Sequence, residues 1–384
     1  MKVLYLAPDS VPAPKGAGIR IARTVLSMQR AGYEVEVFTP SPVGPERLGG
    51  QIPGITHETV DLPHVNFLER MLAYRRAVAA WLAERDADLI QFRSIWEGIP
   101  ALAWAREHSV PVVYEAHGFP SIELVYHFPG LQRSPGMIEK LIREEAVVLG
   151  AASLIITPSR TGARYLQMRA VPPTRIALVP NCVDPGVFAA STPPPNVPPY
   201  RIVYQGTLAP WQGLESLLEA LTPLRHEPLE LHVVGPARSA WRRSLRVAAR
   251  RSRVHHLLHL SRATAQTELI PVLATAHVCA APLAADARNA AQGCCPIKLL
   301  EYMAMGRPIL STAIAAVEEL VTHAESAWLV TPGSPRALAE GIQWMLKHPD
   351  ERESLGRSAR ARSRAFGVDC FEGDLTRALE RALD

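Results

Sequence analysis

Gly293-Cys294-Cys295-Pro296-Ile297-Lys298-Leu299-Leu300-Glu301-Tyr302-Met303-Ala304-Met305-Gly306-Arg307-Pro308 reads as a loop, a short helix and the first residue of a strand. Pro296 suits a helix start, where its missing N–H costs little. Gly306 closes the helix as a C-cap, and a strand over 308–312 follows. Another apolar run, 278–281, precedes the segment, so strand, helix and strand succeed one another as in a parallel crossover unit. Two charges interrupt this apolar helix. Lys298 lies in its first turn, where a cation is disfavoured by ~0.3–1 kcal/mol unless an anion sits nearby. That misfit points to a bound phosphate. Glu301 is three residues on, on a neighbouring face, where a carboxylate accepts hydrogen bonds from ribose hydroxyls. The alternative is an exposed i,i+3 ion pair between Lys298 and Glu301.

The same rhythm extends outward. In the first half, strands are expected over 3–7, 34–39, 88–92, 112–116, 154–157 and 176–179. A helix carrying Ile21, Val25 and Met28 on one face follows the first strand. A longer helix over 67–85 is expected to turn Leu68, Leu72, Ala79 and Leu82 inward. Residues 189–200 then hold a proline cluster that neither a sheet nor a helix accommodates. Beyond it, strands are expected over 202–205, 229–234, 254–260, 278–281, 308–312 and 328–330, with Leu214, Leu217, Leu218 and Leu221 on one helix face. The fold class is therefore α/β: two Rossmann-like doubly wound parallel-sheet domains facing across a cleft. Residues 1–190 form the first domain, 191–200 the linker and 201–368 the second domain, with a terminal helix over 369–384 joining the first. Ligands of such sheets sit beyond the carboxyl ends of the strands.

Composition agrees with a folded chain of two domains. The chain has 384 residues, 48% hydrophobic and 20% charged. Its formal charge is +4, too slight a bias for a dedicated nucleic-acid binder. No apolar stretch reaches the ~18–20 residues of a membrane span, and the start, broken by Pro8 and Asp9, is not expected to be a signal peptide. Five cysteines without CxxC spacing read as thiols of a reducing cytoplasm.

The loop Lys15-Gly16-Ala17-Gly18 joins the first strand to the first helix. Its glycines allow close backbone approach, and the helix N-terminus offers amides to an anion; the alternative is a tight turn. The run 296–304 with Gly306-Arg307-Pro308, together with Pro14-Lys15-Gly16-Ala17, resembles the family 4 glycosyltransferases, retaining enzymes of the two-domain GT-B type. Other pieces match in order: Arg93-Ser94-Ile95-Trp96-Glu97-Gly98 and the run from Tyr114 to Leu124, which resemble a polysaccharide-assembly branch, then Val179-Pro180-Asn181-Cys182-Val183-Asp184 and Tyr204-Gln205-Gly206-Thr207-Leu208.

The resemblance implies a metal-independent hexosyltransferase with no cofactor. It would move a hexose or N-acetylhexosamine from a nucleoside-diphosphate sugar to a glycan or lipid-linked acceptor. His117, Lys298 and Glu301 are the implied catalytic set. Donor contacts are implied for Gly16, Ala17, Gly18, Gly206, Thr207, Gln212, Gly235, Arg262, Gly293, Cys294, Cys295, Pro296 and Leu299, besides Lys298 and Glu301. Several positions depart from the family pattern. A frequent acidic residue falls on Gly293, and a frequent Arg and Lys pair falls on Thr207 and Gln212, leaving Lys298 with Arg262 or Arg288 to meet the diphosphate. Two rival readings share this architecture: a nucleotide-sugar epimerase or hydrolase, and a binding-only member.

Weaker signals remain. Asp86-Ala87-Asp88 reads as punctuation between helix and strand rather than a metal-binding DxD. His255, His256 and His259 are expected on one strand, with His255 and His259 on one face, and without a nearby Cys or carboxylate they do not suggest zinc. Residues 231–267 hold no acid and eight arginines: Arg238, Arg242, Arg243, Arg246, Arg250, Arg251, Arg253 and Arg262. They form either a solvated basic face or a surface for anionic lipid. The latter would suit a cytoplasmic enzyme held peripherally at the inner face of the membrane.

Overall fold

The computed structural model describes residues 1–11, 16–42, 52–63, 65–189, 191–236, 239–262 and 268–384. Pro12, Ala13, Pro14 and Lys15 of the first glycine loop, Ala190 of the expected boundary and Arg238 of the basic run lie outside them. The chain forms two compact units, Met1–Pro180 with Phe371–Asp384, and Asn181–Cys370. The division falls ten residues before the expected boundary, so 181–190 belongs to the second unit: Val183 and Phe188 are buried in its core.

In unit 1 the strands are β1 (Lys2–Leu6), β2 (Glu34–Pro40), β3 (Thr56–Val60), β4 (Leu89–Phe92), β5 (Val112–Glu115), β6 (Leu154–Thr157) and β7 (Ile176–Leu178). They form one parallel sheet in the order β3-β2-β1-β4-β5-β6-β7. Its helices are α1 (Gly16–Arg30), α2 (Phe67–Leu82), α3 (Ile95–His108), α4 (Pro120–His127), α5 (Pro135–Ala151) and α6 (Arg160–Met168). The inward face of α2 differs from the expected one: Leu68 and Ala79 are exposed, while Met71, Tyr74, Val78, Trp81 and Leu82 are buried. The aromatics decide this. Tyr74 donates from Oη to the carbonyls of Ala7 and Phe38, and Trp81 stacks on Phe38 at 4.9 Å. Asp88 accepts from the Lys2 amide at 2.7 Å, and Asp86 pairs with the Lys2 ammonium.

The second unit holds β8 (Tyr200–Gln205), β9 (Leu229–Val234), β10 (Leu258–Ser261), β11 (Val278–Ala281), β12 (Ile309–Thr312) and β13 (Trp328–Val330), in the parallel order β10-β9-β8-β11-β12-β13. The helices in turn are α7 (Leu214–Ala220), α8 (Ser239–Arg251), α9 (Leu269–Ala274), α10 (Ile297–Ala304), α11 (Ala315–Glu318), α12 (Pro335–Lys347) and α13 (Pro349–Ser363). Both faces of this sheet are covered: Ile202 and Tyr204 of β8 enter one core layer and Val203 the other, as a period of two requires. The expected strand over 254–260 is shorter. β10 begins at Leu258, and His255 and His256 lie in the preceding turn, so His255 shares no strand face with His259. The last helix, α14 (Val368–Leu383), carries Phe371 beneath the Arg20 guanidinium at 4.5 Å. Arg30 pairs with Glu372, and Arg381 donates to the Thr174 carbonyl, so residues 371–384 belong to unit 1.

Candidate functional site: two sets of polar groups at strand ends

In unit 2, chemistry-bearing residues gather where β8 and β9 end and α10 begins. Lys298 is the second residue of α10, and its ammonium is buried. Nζ donates to Gln212 Oε1 at 2.5 Å and to Tyr204 Oη at 2.9 Å, and lies 4.0 Å over the Tyr204 ring. Tyr204 Oη in turn donates to the Thr207 carbonyl at 2.7 Å. Burial lowers the Lys298 pKa to about 7; the nearby Cys294 and Glu301 oppose this and Arg288 adds to it. The residue in the family's second cation position, Gln212, thus holds the remaining cation with its amide oxygen.

Glu301 is buried one turn along, and its carboxylate accepts a hydrogen bond from Gln205 Nε2. The Lys298 ammonium bonds Tyr204 and Gln212 and forms no exposed ion pair one turn on. Gln205 Oε1 is buried without a hydrogen-bond partner, beside the Glu301 carboxylate. Two glycines close this end of the sheet. A Cβ on Gly235 (φ +150) would sit 2.2 Å from the Gly206 carbonyl oxygen, which only glycine avoids. Gly293 has φ +81, a left-handed conformation disfavoured by ~1–2 kcal/mol for other L-residues. The backbone itself therefore accounts for glycine where the family often has an acid.

The remaining expected donor contacts divide. Pro296 is the N-cap of α10. Cys294 is half-buried, its thiol raised to about 11 by burial, hence a neutral thiol. Cys295 is in the core and its carbonyl accepts from Asn181 Nδ2 at 2.6 Å. Leu299 departs from expectation: its side chain is fully buried and its amide bonds the Pro296 carbonyl, so neither is available to a ligand. Arg262 also departs, standing exposed beyond β10 beside Arg242. Arg288 is the arginine whose charge reaches Lys298 and Cys294, and it lies 4.9 Å over the Trp211 ring.

Unit 1 presents a different set, built on one buried carboxylate. Glu115, the last residue of β5, accepts from Arg20 Nε at 2.7 Å, Tyr5 Oη at 2.6 Å and Gln91 Nε2 at 3.1 Å. Arg93 Nε stands 3.8 Å away. Burial alone would raise the Glu115 pKa, but Arg20, Arg93 and His117 together hold it well below the usual carboxylate range. His117 Nε2 lies 2.9 Å from Glu115 Oε1. Burial lowers the His117 pKa to about 4 against the opposing pull of Glu115, so the ring is neutral. It donates Nε2–H to the carboxylate. Gly16, Ala17 and Gly18 form the first turn of α1, and the Ala17 carbonyl accepts from Arg93 at 3.1 Å.

The polar hub around Glu115 is only faintly legible in the sequence. Two signals were present: one carboxylate in the apolar run 112–116, and Arg20 eight residues before Met28, on the buried stripe of α1. Glu97, in the run 93–98, is a further buried acid. It is fully buried, caps α3 through Ser94 and leaves Oε2 without a partner.

Residues 14–187 match the family described as Glycosyltransferase Family 4, and residues 199–348 match Glycosyl transferases group 1. The chain belongs to glycosyltransferase family 4. It is a glycosyltransferase of the GT-B type. Among curated relatives, the D-inositol 3-phosphate glycosyltransferase of Frankia alni is 23% identical, over 99% of this chain and 98% of its own. Among solved structures, sucrose-phosphate synthase of Thermosynechococcus elongatus superposes with a TM-score of 0.81 at 20% identity, covering 99% of both chains. HepE of Anabaena in complex with UDP-glucose gives 0.78 at 18% identity, again over 99% of both chains. Among the described residues no helix is long and apolar enough to cross a membrane.

Proposed function

We propose that this family 4 glycosyltransferase moves a hexose or N-acetylhexosamine, with retention, from a nucleoside-diphosphate sugar to a glycan or lipid-linked acceptor. The observation that carries the reading is the buried Lys298 ammonium in the first turn of α10, with the Glu301 carboxylate one turn on. A diphosphate beside Lys298 meets both a cation and the unpaired amides of a helix start. Glu301, released from Gln205, accepts the ribose hydroxyls. Anabaena HepE, of the same fold, has been solved with UDP-glucose, which makes UDP the first nucleotide to try. The polysaccharide branch and its cell-surface setting rest on the resemblance of 93–98 and 114–124.

In this reading no metal is used. Lys298 and the α10 amides stabilise charge on the departing diphosphate, and the diphosphate takes the acceptor proton on the face it leaves. In unit 1, the amides of Gly16, Ala17 and Gly18 offer a second anion site. Neutral His117, held by Glu115, orients a sugar hydroxyl. The exposed arginines of α8, Arg243, Arg246, Arg250 and Arg251, with exposed Val247 among them, are the surface for an anionic cytoplasmic membrane. Vesicle sedimentation with and without phosphatidylserine tests that point, and equal binding to both would remove it.

A thermal-shift panel of UDP, GDP, ADP and TDP and their sugars, with and without EDTA, tests the donor assignment. One nucleotide class should stabilise the wild type regardless of EDTA and should fail with Lys298→Met. A shift that survives Lys298→Met, or that EDTA abolishes, overturns it. Sugar release from the donor without acceptor would favour the hydrolase reading.

A further inference from the structure

The edge of the second sheet carries a cluster that the transfer reaction does not use. Along β9, Leu229, Leu231 and Val233 point into the core, which leaves Glu230 and His232 on the opposite face. β10 runs parallel beside β9, with His259 directly opposite His232. The two imidazoles stack at 4.7 Å with 17° between their planes. His232 Nε2 lies 2.8 Å from Glu230 Oε2. One ligand atom from each of Glu230, His232 and His259 falls within 4.8 Å of the others.

We propose that Glu230, His232 and His259 bind a divalent transition-metal ion, Zn²⁺ by preference, as a clip between β9 and β10. Two imidazoles and one carboxylate are a donor set for zinc and not for magnesium or calcium, which take oxygen ligands. A four-coordinate ion bound at ~2.1 Å needs ligand atoms ~3.4 Å apart, so the cluster closes by little more than an ångström. His259 is exposed and free to tilt its ring towards the others. Zinc takes His232 Nε2 as the lone-pair nitrogen of a neutral imidazole whose N–H then sits on Nδ1, and water completes the coordination. Arg201 is the opposing group: on β8 and opposite Glu230, its Nε contacts Glu230 Oε2 at 3.0 Å. It must move to the second carboxylate oxygen, and its charge weakens binding. Among the described residues β10 pairs with β9 alone, so the clip holds an edge strand. His232 lies three residues before Gly235, ~10 Å along the strand from the proposed donor site, so the ion is structural and takes no part in transfer.

The test uses the full chain without a polyhistidine tag, stripped with chelator and titrated calorimetrically with ZnSO₄ and CoCl₂. The expected result is one ion per chain and visible Co²⁺ absorption of a tetrahedral site. His259→Ala and Glu230→Gln should each weaken binding at least ~10-fold, and Arg201→Gln should strengthen it. His255→Ala and His256→Ala, in the preceding turn, should have no effect. UDP binding should be equal in the stripped and loaded protein. No binding at 100 µM Zn²⁺ overturns the proposal. So does binding that survives His259→Ala, or that is lost with His255→Ala or His256→Ala.

Discussion

Binding of a nucleoside diphosphate should draw one proton from solvent, and Lys298 is the reason. Its ammonium is buried, and burial lowers its pKa to about 7. At that pH, half of the free protein carries a neutral amine in the hydrogen bonds to Gln212 and Tyr204. A diphosphate in contact with Nζ favours the charged form and returns the pKa towards its ordinary ~10.4. The complex therefore holds more protons than the free protein between those values. Affinity is full below pH 7 and falls as pH rises above it, approaching tenfold per unit. At pH 8.5 the free-protein penalty is a factor of about 30, or ~2 kcal/mol. The terminal phosphate of UDP, with pKa ~6, is already ionised in this window and adds no slope.

The assay is calorimetric titration with UDP from pH 6.5 to 8.5, in two buffers of different ionisation enthalpy. The difference in heat between buffers counts the protons taken up. Wild type should approach one proton per UDP at pH 8.5. Lys298→Met should bind more weakly, with no uptake above pH 7. Lys298→Arg stays charged throughout and should lose the slope even where its geometry costs affinity. A wild-type affinity constant that is flat from pH 7 to 8.5 with no proton uptake would refute the contact between Lys298 and the diphosphate.

Glu301→Ala should weaken UDP by at least ~10-fold yet leave inorganic pyrophosphate nearly unchanged, since the lost bonds are to ribose; equal weakening in calorimetry removes the ribose role. Glu115→Ala leaves Arg20 and Arg93 buried without their carboxylate and should cost ~3–5 kcal/mol in urea unfolding, whereas a loss under ~1 kcal/mol would mean the hub is not tightly coupled. Glu97 is raised to about 8 by burial, so it costs nothing below the unfolded carboxyl pKa, and the fold weakens as pH climbs from there to 8. Glu97→Gln can still accept from the Arg93 and Ser94 amides, so its melting temperature relative to wild type should rise between pH 5 and pH 8.5; a constant difference would show that the carboxyl is ionised in the fold. Gly235→Ala must push the Gly206 carbonyl aside and should both destabilise the second unit and abolish UDP binding, and a variant with wild-type affinity would show that this turn has room.

What the sequence determined by itself was local. Proline at the start and glycine after the end delimit α10 because they restrict the backbone of their own neighbourhood, and Gly306 indeed takes φ +66. Apolar runs mark twelve of the thirteen strands found among the described residues because two buried faces leave little room for polar residues. The exception, β3, is Thr56-His57-Glu58-Thr59-Val60 at the sheet edge, where burial is too slight to write an apolar pattern. The inward face of α2 differs from the expected one for a related reason: leucine spacing fits several faces, and the partners of Tyr74 and Trp81 choose among them.

Tertiary structure decided the chemistry. Lys298 meets Tyr204 and Gln212 across 94 and 86 residues of chain, and Glu301 meets Gln205 across 96. The pKa of a lysine depends on the water it loses, and no spacing in the sequence records that loss. The same holds for Glu115, whose partners come from β1, α1 and β4 as well as from His117. Glu230 and His259 looked unrelated along the chain because parallel pairing, which brings β9 beside β10, is a property of the sheet rather than of either strand.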